Sequence, residues 1–284
     1  MEWHPIEAAA GIAGWARGDG DLPVVVLHGG PGLADYTEAL ADEVVAASPG
    51  RLRVIRYQQR GQAPSTEMGP LTVAQFVADL AAVIDRAGNR RAVVIGHSWG
   101  AHLAMHAACT IPDRICSLMF IDALGGIGDG GMSTMGPTFV TRLGPAVQNE
   151  LTHLAASDLG DDDKAAARVR LLWPGYFADP RLAPPPPPIA CSARVSNAIL
   201  VDVIRLMGEQ ALETRLPEVQ VPSLHLIGRA SPIDPTANEQ TAAIMPGAEV
   251  EMLDTGHFVW IEHPGSVTAA TVRLLDALDV ASAR

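Results

Sequence analysis

Six short runs rich in apolar and β-forming residues limit what this chain can fold into. They are Val24-Val25-Val26-Leu27, Leu52 to Tyr57, Ala92-Val93-Val94-Ile95, Leu118-Met119-Phe120-Ile121, Ser223 to Ile227 and Val250 to Leu253. Four of them end at His28-Gly29-Gly30, Gly96, Asp122 and Gly228. Runs of this length that do not alternate with polar residues suit strands buried on both faces of a parallel sheet. The stretches between them have helical spacing. Val73, Phe76, Val77, Leu80, Val83, Ile84 and Ala87 fall on one face, and Gly88-Asn89 gives a stop signal. Val267, Ala270, Leu274 and Leu278 repeat the pattern near the C-terminus. Strands alternating with helices predict an α/β fold with a mostly parallel, doubly wound sheet.

The alternation fails from about 124 to 222. A glycine run, Gly125-Gly126-Ile127-Gly128-Asp129-Gly130-Gly131, leads out of the sheet pattern. Helix-like stretches follow, and then five prolines, Pro184 to Pro188. That run reads as a stiff polyproline II spacer, and alternatively as a ligand for a proline-reading module. The organisation predicted is a core of residues 1–123 and 223–284, with a helical lid inserted at 124–222.

The chain is long enough, at 284 residues and 48% hydrophobic, to bury a sizeable core. Its formal charge of −12 argues against nucleic acid and anionic membrane surfaces as partners. Three cysteines, Cys109, Cys116 and Cys191, are no disulfide framework and read as small buried residues. The opening Met1-Glu2-Trp3-His4-Pro5 lacks a basic and then apolar leader, and no apolar run reaches the length of a membrane helix. A soluble, cytoplasmic protein acting on a small molecule is expected, with the oligomeric state left open.

Gly96-His97-Ser98-Trp99-Gly100 carries the chemistry. It follows an apolar strand and precedes a helical stretch, Ala101 to Ala108, which is the context of a nucleophile elbow. Such a turn presents the serine oxygen above the sheet, at a helix N-terminus that favours an anion. His28-Gly29-Gly30-Pro31-Gly32 ends the first strongly apolar run. The N–H of Gly30 there, with that of Trp99, would form an oxyanion hole around a carbonyl attacked by Ser98. His257, in Gly256-His257-Phe258, ends the last strand and comes after the nucleophile, as the chain order serine–acid–histidine requires. His97 is read as structural, because neighbouring side chains at a tight turn diverge. His102 and His106 are four apart on a helix, a possible metal face without a third ligand nearby, and are read as core or solvated residues. No cofactor or metal is called for.

These pieces together resemble the α/β-hydrolase fold and, within it, the proline-iminopeptidase-like serine hydrolases. The resemblance covers most of the chain outside 124–222. It rests on His28-Gly29-Gly30-Pro31-Gly32, Gln59-Arg60-Gly61, Gly96-His97-Ser98-Trp99-Gly100, and Gly256-His257-Phe258 with Glu262 and Pro264. It implies Ser98 as nucleophile, His257 as base and a lid built from 124–222.

Three departures stand out. Such relatives usually read Asp-Gln-Arg-Gly-x-Gly-x-Ser after the second strand, where this chain has Gln58-Gln59-Arg60-Gly61-Gln62-Ala63-Pro64-Ser65. Iminopeptidases tend to hold the substrate amine with lid glutamates beside tryptophans, whereas the lid here offers Trp173-Pro174-Gly175-Tyr176-Phe177 with no adjacent glutamate. Relatives also place the catalytic acid in a Gly-x-x-Asp pattern after the penultimate strand, and here Gly228 is followed by Ser231. Asp122, at the end of the strand after the elbow helix, is the first candidate for the missing acid. Asp234 is the alternative, though before Pro235 it also reads as a helix N-cap. A site with no working acid is the third reading. The expected activity is hydrolysis of a small ester or lactone through an acyl-enzyme, with Trp173 and Tyr176 at the substrate. Its alternatives are a proline-iminopeptidase-like aminopeptidase and a non-hydrolytic ligand-binding member of the fold.

Overall fold

The computed structural model describes residues 2–66, 68–88 and 91–282, the side chains of 281 and 282 excepted. Asn89 of the expected helix stop lies outside the described residues. The strands are β1 (His4–Ala9), β2 (Ile12–Arg17), β3 (Leu22–Leu27), β4 (Leu52–Tyr57), β5 (Ala92–His97), β6 (Ile115–Ile121), β7 (Ser223–Gly228) and β8 (Glu249–Leu253). They form one sheet in the order β1-β2-β4-β3-β5-β6-β7-β8. All pairings from β4 to β8 are parallel. The six runs read from the sequence are therefore six strands of the parallel part.

The hairpin of β1 and β2, antiparallel to each other and to β4, was not foreseen. Its strands are short, mix Glu7, Trp15 and Arg17 with apolar residues, and cover the sheet edge, so they lack a continuous apolar run. The edge is closed by Arg56, whose guanidinium lies over the rings of Trp3 and Trp15 at 5.0 and 4.4 Å and pairs with buried Asp35 at 2.6 Å.

The helices are α1 (Glu38–Ala47), α2 (Val73–Arg86), α3 (Trp99–Thr110), α4 (Met135–Leu143), α5 (Ala146–Ala155), α6 (Asp161–Leu172), α7 (Ala193–Gly208), α8 (Pro235–Ile244), α9 (Val259–Glu262) and α10 (Ser266–Ser282). Val24 to Leu27 of β3 and Ala92 to Ile95 of β5 are apolar at every position because helices cover both faces of the sheet there. Val25 and Leu27 of β3 join the core under α2, α3 and α7. Val24 and Val26, pointing the other way, join the core under α1, α9 and α10. Helix α2 matches its sequence pattern: Thr72 caps it through Gln75 N–H, and Phe76, Val77, Leu80, Val83 and Ile84 are buried.

Between β6 and β7 the chain forms α4 to α7 and adds no strand to the sheet. Phe139, Val147 and Leu172 make a small apolar cluster of their own there. Val195, Ile199 and Val203 of α7 pack into the main core. The five prolines adopt neither helix nor strand, and the Pro184 carbonyl accepts from Trp173 Nε1 at 2.7 Å. The following residues are stitched to the loop after β3: Ala34 N–H donates to Ala190 O at 2.9 Å, and Ser192 N–H donates to Gly32 O at 2.7 Å.

Leu80 is fully buried on the inner face of α2. Leu80→Ala is expected to remove about 2–5 kcal/mol of stability, the usual cost of emptying a packed leucine site. The measurement is a urea midpoint that falls with unchanged slope. A loss under about 1 kcal/mol would contradict the packing described.

Candidate active site

The order of the sheet puts β5 between β3 and β6, so the turn at its C-terminal end is flanked by the ends of both neighbours. Ser98 sits at that turn with φ 56° and ψ −120°, a left-handed backbone that a serine adopts only under constraint. The glycines around it are demanded by contact. A Cβ on Gly96 would meet Gly100 O at 2.4 Å, and one on Gly100 would meet Leu27 O at 2.4 Å. Helix α3 thus lies directly on the strand ends, and starts at Trp99, two residues before the stretch expected. As the first helical residue, Trp99 has an N–H with no acceptor within the helix.

Gly30 lies in the loop after β3, with φ 57°. Its neighbour Gly29 donates its N–H to the Tyr36 hydroxyl at 2.9 Å. Gly30, Trp99, Ser98 and His257 line one cavity of about 260 Å³. The loop is braced from behind by the segment that departs from the family pattern. Gln59 Nε2 donates to His28 O at 2.8 Å and its Oε1 accepts from Trp99 Nε1 at 2.9 Å. Gln58 Oε1 accepts from Asp35 N–H at 2.8 Å, and its Nε2 donates to Leu33 O at 3.0 Å. Arg60 is clamped by a two-point contact to Asp79. Glutamine at 58 therefore does a binding job that serves the loop and needs no charge.

His257 and Asp122 meet across the strand ends. His257 Nδ1 and Asp122 Oδ2 are 2.5 Å apart, and both side chains are buried. The same Oδ2 accepts from the Ser231 hydroxyl at 2.5 Å, and Oδ1 accepts from Gly228 N–H at 3.0 Å. Asp122 itself has φ 42°, a second left-handed residue, which turns the chain at the end of β6. Its N–H is tied to Leu226 O at 2.7 Å. Ser231, at the position where the resemblance would place the acid, hydrogen-bonds Asp122 at the end of the neighbouring strand β6. Asp234 is elsewhere occupied: its carboxylate accepts from Thr236 N–H at 2.9 Å and caps α8, with Pro235 at the first helical position.

Of the residues that support this pair, His97 and Glu262 stand in the motifs around Ser98 and His257, and Tyr36 carried no signal in the sequence. His97 Nε2 lies 2.9 Å from the His257 carbonyl and donates to it, so Nδ1 is the acceptor. Tyr36, 2.7 Å away, donates its O–H to that nitrogen. Burial, and then the neighbouring His257, hold the His97 ring well below the ordinary histidine range, in the neutral form this chain of bonds needs. The His97 ring packs on that of His257, with centroids 4.4 Å apart. On the other flank, His257 N–H donates to Tyr176 O at 2.8 Å. Glu262 accepts from Gly256 N–H at 2.7 Å and from Ala178 N–H at 2.9 Å. Burial raises its carboxyl above the usual range.

Trp173 and Tyr176 both line the cavity. They also pack inside: Trp173 on Phe258 at 4.7 Å, and Tyr176 on Phe139 at 4.9 Å. His102 and His106 are buried, and burial lowers both rings, His102 to about 4. Among the described residues no group of three or more His, Cys, Asp or Glu is placed to hold a metal ion.

Exchanging Asp122 for asparagine keeps the shape but offers His257 the wrong partner. Asp122→Asn is expected to lower kcat by about three to four orders of magnitude, as loss of the correct imidazole tautomer does in a triad. Asp234→Asn should leave kcat within a few-fold and cost at most about 1 kcal/mol of stability as a weakened cap. Steady-state rates and urea unfolding of the two variants check both, and the reverse pattern would transfer the acid to Asp234.

The comparisons with known proteins agree with this architecture. A family model described as alpha/beta hydrolase family matches residues 24–271. Epoxide hydrolase A of Mycobacterium tuberculosis is 26% identical, over 93% of this chain and 93% of its own. Proline iminopeptidase of Heyndrickxia coagulans is 23% identical, over 91% of this chain and 92% of its own. The solved enol-lactonase of Burkholderia xenovorans LB400 superposes with a TM-score of 0.58 at 20% identity, over 97% of this chain and all (100%) of its own. No helix among the described residues is long and apolar enough to cross a membrane. With a match that spans most of its length, the chain belongs to the alpha/beta hydrolase family, and it is a hydrolase.

Proposed function

We propose that this hydrolase cleaves a small ester or lactone through an acyl-enzyme, with Ser98 as nucleophile, His257 as base and Asp122 as the acid that orients it. The observation that carries the reading is the single cavity that Ser98 and His257 share, with His257 Nδ1 already engaged by buried Asp122. That contact leaves Nε2 as the ring nitrogen to take the Ser98 proton. The oxygen attacks the substrate carbonyl, and the N–H groups of Gly30 and Trp99 stabilise the resulting oxyanion. Collapse expels the alcohol, which receives its proton from His257. Water, deprotonated by the same ring, then releases the acid and restores the serine. In this reading residues 124–222 are a lid over a core of 1–123 and 223–284, and Trp173 and Tyr176 are its contribution to the substrate wall.

The chemistry of the site bears on the alternatives. An aminopeptidase must hold a substrate ammonium, and none of the residues lining the cavity is Asp or Glu. Epoxide opening by a serine oxygen would leave an alkyl ether on Ser98. Such an ether has no carbonyl for water to attack, so the enzyme would stop after one turnover. Acyl transfer alone returns the hydroxyl.

Incubation with a fluorophosphonate is expected to add one label per chain at Ser98, found by mass spectrometry of the peptide. Ser98→Ala should abolish both labelling and turnover of a p-nitrophenyl short-chain ester, while prolyl-p-nitroanilide is cleaved negligibly by the wild type. Ester turnover retained in Ser98→Ala would refute the mechanism. Faster turnover of the anilide would establish the aminopeptidase reading, and a serine that resists labelling would favour a non-hydrolytic role.

A further inference from the structure

We infer that the site takes an uncharged ester or lactone of about ten non-hydrogen atoms, apolar on both sides of the scissile carbonyl. The inference rests on the serine-hydrolase reading above and adds to it a size, a polarity and a disposition. An apolar cavity of roughly 150 Å³ holds one benzene. At that density the cavity of about 260 Å³ holds roughly ten carbon atoms. That is more than an acetyl ester needs and far less than a long-chain lipid.

The polarity follows from the lining, which contains no Asp, Glu, Lys or Arg. The Tyr36 hydroxyl in the wall is already committed to Gly29 and His97. A charged substituent would find no counter-ion, and burying it unpaired is costly. The disposition follows from the sheet. On the β3 side of Ser98, the cavity wall is Leu33 and Ala34, with Cys191 bridged to Leu33. On the β6 and β7 side it is Leu124, Met132 and Ile233. Helix α7 runs from one side to the other: Val195 lies beside Gly32, Met207 beside Gly130, and Ile199, Leu200 and Val203 between them line the cavity. Apolar space therefore exists on both flanks of the nucleophile, one for the acyl group and one for the alcohol or the remainder of a lactone ring.

The test is a series of neutral esters, ethyl acetate, butyl butyrate and decyl decanoate, with methyl hexanoate and monomethyl adipate as a matched uncharged and charged pair. Rates are expressed per active serine by fluorophosphonate titration. Each buried methylene is worth about fourfold in kcat/KM. Butyl butyrate should exceed ethyl acetate by on the order of 100-fold, and decyl decanoate should fall below butyl butyrate. Monomethyl adipate should be slower than methyl hexanoate by on the order of 100-fold. Met135→Trp and Leu200→Trp, at a half-buried and an exposed residue of the wall, should each lower the ratio of butyl butyrate to ethyl acetate about tenfold as the ring takes up the space of about two methylenes. The ratio discounts any misfolded fraction. A labelled Ser98 with its optimum at ethyl acetate or decyl decanoate, or a preference for the adipate, would overturn this inference and leave the mechanism standing. No labelling and no ester turnover would overturn both.

Discussion

One buried carboxylate holds the C-terminal end of this sheet together. Asp122 accepts from Gly228 N–H, from the Ser231 hydroxyl and from His257 Nδ1, so it joins the ends of β6, β7 and β8 at a single point. A carboxylate with no exposure survives in a protein interior only when donors surround it. Removing any of the three would leave part of that demand unmet. The position of the His257 ring is thus a consequence of satisfying Asp122, and the position of Asp122 is a consequence of strand order. The left-handed turn at Asp122 is what carries its carboxyl from β6 across to the loop after β7.

The two residues with unfavourable backbone angles at the site support each other. Ser98 N–H donates to Ile121 O at 3.0 Å, just before Asp122, and Leu124 N–H donates back to Ser98 O at 3.2 Å. The elbow and the acid turn are therefore one hydrogen-bonded unit between neighbouring strands. Strain of this kind costs on the order of 1–3 kcal/mol per residue and persists only where the surroundings over-determine it. Here the surroundings are two fully buried parallel strands, which also explains why glycine is required at 96 and 100 and a serine is tolerated between them.

Most of the sheet was legible because parallel strands covered on both faces must be apolar at every position, as Val24 to Leu27 and Ala92 to Ile95 are. The hairpin β1–β2 was not, because the edge strand β1 and its neighbour β2 mix Glu7 and Arg17 with their apolar residues and leave no run. The elbow was legible since its geometry restricts composition to glycine at fixed positions. The acid was harder. A lone aspartate after a strand looks the same in sequence whether it caps a helix, as Asp234 does, or accepts from an imidazole, as Asp122 does, and only the parallel pairing of β6 with β7, and of β7 with β8, separates the two. Of the bracing residues, His97 and Glu262 stand in the motifs around Ser98 and His257, whereas Tyr36 comes from a distant segment that meets them only in space, so no spacing along the chain announces it.

The same logic accounts for the departures from the family pattern. At position 58 the loop needs a group that both accepts from Asp35 N–H and donates to Leu33 O, and a glutamine amide does both where a carboxylate can only accept. At position 231 a hydroxyl donates to Asp122 Oδ2 and accepts from Ile233 N–H at 3.1 Å, tying the loop after β7 to the neighbouring strand. An aspartate at both 122 and 231 would set two carboxylates against one imidazole, an arrangement in which like charges oppose each other at close range. The hydroxyl at 231 is therefore the physical complement of the carboxylate at 122, and the two positions are best understood as a single solution to holding one histidine in place.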